Sequence, residues 1–283
     1  MSKIKIVTDS SVGLTEDEIK KYNITVIPLS VMIDDTLYID NETITNDEFV
    51  EKMAKSEALP KTSQPSVGRF VEVFNQLGED GSQVLSINML EAISGTVHTA
   101  EQAATISSSD VTVIDSHTTD QGLGFQVLEA AKLAQAGADL DTIIKATEKV
   151  YENSKLYLSV MTLDNIVKGG RLNPIAGAIT NFLNIKIALE VADGKIKILS
   201  KGRGIKSIKK TFAKVIDEMK AVPNLKRIGI SYVSKTEFID ELIGKLKSEF
   251  PSTEFVIRVT SPIIATHTGE GAFALIFYGD DQK

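Results

Sequence analysis

Cysteine is absent from the 283 residues, which excludes a disulfide framework, a thiol nucleophile and any thiolate-ligated metal or iron–sulfur centre. Histidine occurs three times, at His98, His117 and His267, too sparsely for a His-rich metal site, and no metal or cofactor is expected. No window approaches the ~18 uninterrupted apolar residues of a membrane span. The N-terminal MSKIKIVTDSS reaches Asp9 too soon to be a secretory signal. A soluble, cytoplasmic protein is the expectation. Nucleotide loops are missing too. Gly122-Leu123-Gly124 lacks a third glycine and falls within a helical stretch, and Gly202-Arg203-Gly204-Ile205-Lys206-Ser207 does not have the Walker spacing.

What is present is ordinary for a globular chain: 42% apolar and 24% charged residues. The length suggests two domains, read here as 1–160 and 161–283, and the second half departs from the first in charge. Residues 1–160 carry 12 Lys+Arg against 25 Asp+Glu, whereas residues 161–283 carry 19 against 13. Eight basic residues and no acid fall between Gly194 and Ile216. A solvated helix and hairpin face accounts for them; a docking patch for an acidic partner, a phosphate-bearing ligand or an anionic membrane surface is the sharper alternative. Nucleic acid fits poorly, because the chain is acidic and the patch has no interleaved aromatics.

Short apolar runs alternate with helical patterns along the first half. Strands are expected at 3–8, 24–33, 36–39, 84–88 and 111–115, with helices at 15–22, 45–55, about 65–77, 94–107, 120–136 and 140–153. Asp34-Asp35 reads as a hairpin turn, and Ser63 as the cap of the helix containing Pro65. This βαβα order predicts an α/β fold with a mainly parallel sheet. From Leu156 the order becomes strand, short helix to Gly169-Gly170, an apolar stretch 174–183, a hairpin about Asp193-Gly194, then helix, strand, helix, strand, strand. Mixed pairing of that kind predicts an α+β second domain.

Four polar clusters stand where strands end and helices begin, the usual ligand edge of an α/β sheet. They are Thr8–Ser11, Lys61–Ser66, Ser94–Thr96 and Asp115–Thr119. Each by itself reads as capping and turn chemistry; together they offer hydroxyl donors to a small anion such as a carboxylate or phosphate. Asp9 reads as a loop-organising acceptor, with metal ligation as the alternative. His267, in Thr266-His267-Thr268-Gly269-Glu270-Gly271, is placed between two apolar strands, either satisfying local carbonyls or meeting a ligand. His117 is expected to orient the Asp115 loop, and His98 to lie on the surface.

In order and spacing the chain resembles the DegV family, especially its fatty-acid-binding (FakB-type) members, which are subunits of bacterial fatty acid kinase. The matching pieces are KIVTDSS (5–11), KTSQPS (61–66), SGT (94–96), VIDSHTTDQGLGFQV (113–127), KGGRL (168–172), ADGKI (192–196) and HTGEGA (267–272). Departures at Val97, Ile187 and Glu270 bear on pocket shape. The resemblance implies a Rossmann-like N-terminal domain, an α+β C-terminal domain and one long-chain fatty acid held between them. It implies a carboxylate site at Thr62, Ser63, Ser94 and His267, with Thr268 and Gly269 as backbone contacts, and no catalytic residue in this chain. A separate ATP-dependent kinase subunit would phosphorylate the carboxylate to an acyl phosphate for phospholipid synthesis, docking at Arg171, Arg203 and Lys206.

Hydroxyls and an imidazole would hold the carboxylate without a permanent cation, and the scarcity of aromatics, 6%, implies an aliphatic tunnel drawn from residues such as Ile27, Ile93, Ile179, Phe182 and Ile187. The rival reading is a phosphate-handling kinase or hydrolase using Asp9, Ser94 and His267. A third is a lipid-sensing regulatory protein without a kinase.

Overall fold

A computed structural model describes residues 4–171 and 185–280. The first sheet is parallel, in the order β2 (Thr25–Ile27), β1 (Ile4–Asp9), β6 (Gln83–Asn88), β7 (Val111–Asp115). The second is six-stranded and mixed, in the order β10 (Lys195–Gly202), β9 (Lys186–Ala192), β8 (Ser154–Val160), β13 (Phe273–Tyr278), β11 (Arg227–Tyr232), β12 (Glu254–Val259). Only its β11–β12 pair is parallel. The α/β and α+β halves thus stand as expected. β8 pairs with β9 and β13 in the second sheet, so a division by sheets falls before Ser154 rather than at residue 160.

Helix α5 (Asp120–Gln135) is buried on nearly all sides and touches strands of both sheets. A helix clad in Gly, Ala and Leu on every face is the kind that sits inside a protein rather than on it. It ends at Gly137, whose φ of +82° few other residues accept, and α6 (Leu140–Glu152) follows. On the other face of the second sheet lie α8 (Ile205–Lys220) and α9 (Glu237–Glu249), whose apolar stripes cover Tyr157, Leu275 and Phe277. Among the described residues no helix is long and apolar enough to cross a membrane.

A third sheet departs from expectation. The run 24–33 is two strands, β2 and β3 (Ser30–Ile33), because the chain breaks at Pro28-Leu29. β3 pairs with β4 (Thr36–Ile39) across Asp34-Asp35, both at positive φ as a tight hairpin turn requires. It also pairs with β5 (Lys61–Ser63), so Ser63 is a strand residue and not a helix cap. The cap of α3 (Val67–Gly78) is Ser66, whose hydroxyl accepts from the Arg69 N–H, and Pro65 precedes the cap. Helices α1 (Glu16–Lys21) and α2 (Asn46–Lys55) both open with a Thr/Glu capping box. The expected apolar stretch 174–183 lies outside the described residues.

Candidate functional site

A cavity of about 360 Å³ lies between the two large sheets. Its floor is one face of the second sheet. Ala274, Leu158 and Leu189 stand in one register row, and Leu156, Val191 and Ile196 in the next. Strand side chains alternate faces, so the intervening Tyr157, Ala188 and Leu275 point the other way, into the α8/α9 layer. The roof is Leu29, Met89, Leu90 and Ile93, from loops at the carboxyl edge of the first sheet. No Phe, Tyr or Trp side chain lines the cavity among the described residues. Of the expected tunnel residues Ile93 is in place. Ile27 and Ile187 are fully buried in the packed cores and are not in the wall, and Ile179 and Phe182 lie outside the described residues.

Polar side chains converge on one part of this wall: Thr62, Ser63, Gln64, Ser94, Arg171, His267 and Thr268. Thr62 is the central residue of β5, opposite Val31, so the pleat that buries Val31 turns Thr62 inward. Its Oγ1 lies 2.9 Å from His267 Nε2. His267 is on a helix, α10 (Pro262–Thr268), and not in a loop between strands. The signal was legible: Ser261 caps the N-terminus, Pro262 takes the first turn, and Gly269 at φ +79° ends the helix. With seven residues the helix is too short to show a clear 3.6-residue period. Asn165 of α7 (Asp164–Lys168) donates from Nδ2 to Thr266 O at 2.8 Å, fastening the two short helices together.

Burial and the Arg171 guanidinium push the His267 pKa down to about 4, so the imidazole is neutral at physiological pH. Its Nδ1 is buried without a hydrogen-bond partner among the described residues and packs on Gly169 so closely that a Cβ there would overlap it. Arg171 donates from Nε to Ile93 O at 3.2 Å and from Nη1 to Gly169 O at 2.8 Å. Sequence reasoning placed Arg171 on a docking surface and expected no cation at the head of the cavity. The structure puts it in the cavity wall, because the tight turn at Gly169-Gly170 (φ of Gly170 +75°) folds the chain back. Arg203 and Lys206 are exposed at the start of α8.

Ser94 lies just before α4 (Thr96–Ile106), with Oγ 2.8 Å from Thr96 Oγ1, and it accepts from the Thr96 N–H at 3.3 Å. It therefore shares in capping while facing the cavity. Thr268 lines the wall, but its hydroxyl is given to Ile264 O at 2.9 Å. Gly269 is not in the wall: it is the residue that terminates α10. Gln64 was missed. It faces the cavity and bonds through Nε2 to the Thr99 hydroxyl, and a Cβ at Gly95 would push the Gln64 amide aside.

Asp9 lies outside the cavity. Its carboxylate accepts from Ser11 N–H and Oγ and from Met89 N–H at 2.7 Å, which fixes the loop carrying Met89 and Leu90. Burial pushes its pKa up. His117 is held by Asp115, and His98 sits between Glu91 and Glu101 on the surface. No cluster of three or more His, Asp or Glu suited to a metal ion is found among the described residues.

The parallel sheet and the mixed sheet thus bound a largely aliphatic cavity with most of its polar side chains at one end. The chain belongs to the DegV family: the family described as "Uncharacterised protein, DegV family" matches residues 3–280. A DegV domain-containing protein of Streptococcus pneumoniae is 44% identical over 276 residues, 98% of each chain. Among solved structures, DegV of Bacillus subtilis, a fatty acid binding protein, matches with TM-score 0.90 at 28% identity, over 99% of this chain and 100% of that one. A fatty-acid-binding DegV family protein of Thermus thermophilus matches with TM-score 0.86 at 30% identity, over 98% of this chain and 99% of that one.

Proposed function

We propose that this chain is a carrier of a long-chain fatty acid, with the acyl chain on the aliphatic floor and the carboxylate at Thr62, Ser94 and His267, near Arg171. The observation that carries it is the Thr62–His267 pair at 2.9 Å, set at the polar end of a cavity whose remaining wall, Thr119 and Asp120 apart, is Leu, Ile, Val, Met and Ala. Burying a chain gains roughly 0.8 kcal/mol per methylene, on the order of 10 kcal/mol for a long one before ordering costs. A carboxylate taken out of water has to be hydrogen-bonded, and two hydroxyls, a neutral imidazole and a guanidinium offer those donors. The Bacillus subtilis and Thermus thermophilus relatives, named for fatty acid binding, support the same ligand.

The finer part of the reading is delivery. The chain is not an enzyme by itself in this proposal; it presents the carboxylate to a separate ATP-dependent kinase subunit, which makes an acyl phosphate for phospholipid synthesis. A surface recess of about 340 Å³ shares Ile93, Ser94 and Arg171 with the cavity, and this supports an exit for the head group. The exposed Arg203 and Lys206 supply charge for the docking partner, and transient contact with a membrane surface suits the same cations.

Organic extraction of the purified protein followed by mass spectrometry tests the ligand, with about one fatty acid per chain expected. Loading the protein and adding a fatty acid kinase subunit with ATP tests delivery, with acyl phosphate as the readout. An empty cavity together with ATP turnover by this chain alone would overturn the carrier in favour of an enzyme.

A further inference from the structure

The two hydroxyls at the polar end of the cavity stand on elements of different layers. Thr62 lies on β5, an edge strand of the small sheet, paired with β3 alone among the described residues. Ser94 lies just ahead of α4, which packs on α3 and on β6 and β7 of the parallel sheet. A carboxylate that accepts from both needs them held at one spacing, because a hydrogen bond between oxygens keeps its strength over a narrow range, about 2.5–3.0 Å. Towards the second half of the chain, Thr62 is fixed by His267. Towards α4, the same segment is fixed by Gln64.

Gln64 stands two residues beyond Thr62 and donates from Nε2 to the Thr99 hydroxyl. The direction of that bond follows from the next one. Thr99 gives its own hydrogen to Gly95 O at 3.2 Å, so its oxygen turns lone pairs to Gln64 and takes an N–H. Gly95 O also accepts from the Thr99 N–H at 3.0 Å. The amide is thereby tied to the first turn of α4, whose N-cap, Gly95, is the neighbour of Ser94. Gly95 has no side chain to hold the amide off: an added Cβ would come within 2.5 Å of Gln64 Oε1. Thr99 itself is 6% exposed and stands behind the wall that Thr62, Gln64 and Ser94 help to form.

We propose that Gln64 is a positioning residue for the head group: its amide, bonded to Thr99, fixes the Ser94 hydroxyl relative to Thr62, so that one carboxylate takes a hydrogen from each. This rests on the fatty-acid reading above. Removing the tie leaves both hydroxyls in the wall but frees their spacing. A carboxylate, which uses the pair, then loses affinity. A fatty alcohol, with a single head-group oxygen, does not depend on the spacing.

The test titrates octadecanoic acid and octadecanol against the unmodified chain, Gln64→Met, Thr99→Val and the double variant. Gln64→Met keeps the length of the side chain and removes the donor. Thr99→Val keeps the shape and removes the acceptor, at a residue that does not line the cavity. Each single variant should bind the acid about three- to tenfold more weakly, one neutral hydrogen bond's worth, and the alcohol within about twofold of the unmodified chain. The double variant should lose no more than either single one, since both remove the same bond. Unchanged alcohol affinity also shows that each variant is folded. Acid loss in Gln64→Met without loss in Thr99→Val would put Gln64 in direct contact with the carboxylate, and losses that multiply in the double variant would make the two residues independent; either overturns the proposal. So would equal losses for acid and alcohol, which mark a structural role alone, or no loss at all. Failure of the unmodified chain to bind octadecanoic acid would overturn the fatty-acid reading itself, a result visible before any variant is made.

Discussion

Thr62 and His267 are separated by 205 positions in the chain, and their side chains meet at 2.9 Å. One comes from a three-residue strand and the other from the last turn of a seven-residue helix, and the contact joins the two halves of the protein at the head of the cavity. A carboxylate seated there would be bound by both halves at once.

That geometry predicts that removing a donor weakens acids far more than alcohols. Thr62→Val and Ser94→Ala should each bind a fatty acid about ten- to a hundredfold more weakly, the value of one hydrogen bond to a charged group, roughly 1.5–3 kcal/mol. A fatty alcohol of equal length should change much less. Paired titrations of acid and alcohol measure it; equal losses for both would make Ser94 a helix cap and Thr62 a strand residue only.

Gly169 predicts a substitution that damages the site from behind. A Cβ there would overlap His267 Nδ1 and approach Asn165 O to 2.7 Å, so Gly169→Ala has to displace the imidazole. A stability loss of about 1–3 kcal/mol is expected, with a weakened fatty acid affinity that Gly95→Ser, striking the Gln64 amide instead, would affect by a different route. Denaturant melts and binding isotherms on the two variants separate the effects.

Asp40 predicts a dependence on pH. It is 1% exposed, and burial, set against Ser10 and Arg258, pushes its pKa up to about 7. The folded protein therefore holds a proton that the unfolded chain releases near the ordinary carboxylate range. The resulting stabilisation is complete below that range and is lost as pH rises through about 7. Asp40→Asn should make the melting temperature less sensitive between pH 5 and pH 8. Identical slopes for the two proteins would refute it. His267 has the opposite sign: with its pKa held down to about 4, its contribution is intact above ~6.5 and falls as the solution is acidified toward 4. His267→Gln should remove that acid limb.

The exposed cations predict a separation of binding from delivery. Arg203→Ala and Lys206→Ala should leave fatty acid affinity unchanged and slow acyl phosphate formation by an added kinase subunit, with high salt mimicking the substitutions. Arg171→Ala should impair both, because Arg171 lies in the cavity wall as well as at the recess. Loss of fatty acid binding in Arg203→Ala would remove it from the docking surface.

The sequence by itself determined what depends on neighbours along the chain. Hydrophobic periodicity located most strands and helices, Asp34-Asp35 and Asp193-Gly194 marked their hairpins, and the ordered motifs from KIVTDSS to HTGEGA pointed to the family. It also carried the Ser261-Pro262 to Gly269 signal of α10, in a segment too short to show a helical period. Tertiary structure alone decided the rest. β8 joins the second sheet because its hydrogen-bonding partners, β9 and β13, arrive later in the chain. Which aliphatic residues face the cavity and which face α8 follows from strand register, which no local pattern specifies when both faces are buried. Arg171 is a wall residue because a turn at Gly170 brings it back to Ile93 O, and Thr62 faces inward because Val31 does. Contacts between residues 78 or 205 positions apart form only when the whole chain packs, since hydrogen bonding and burial act through space and not along the sequence.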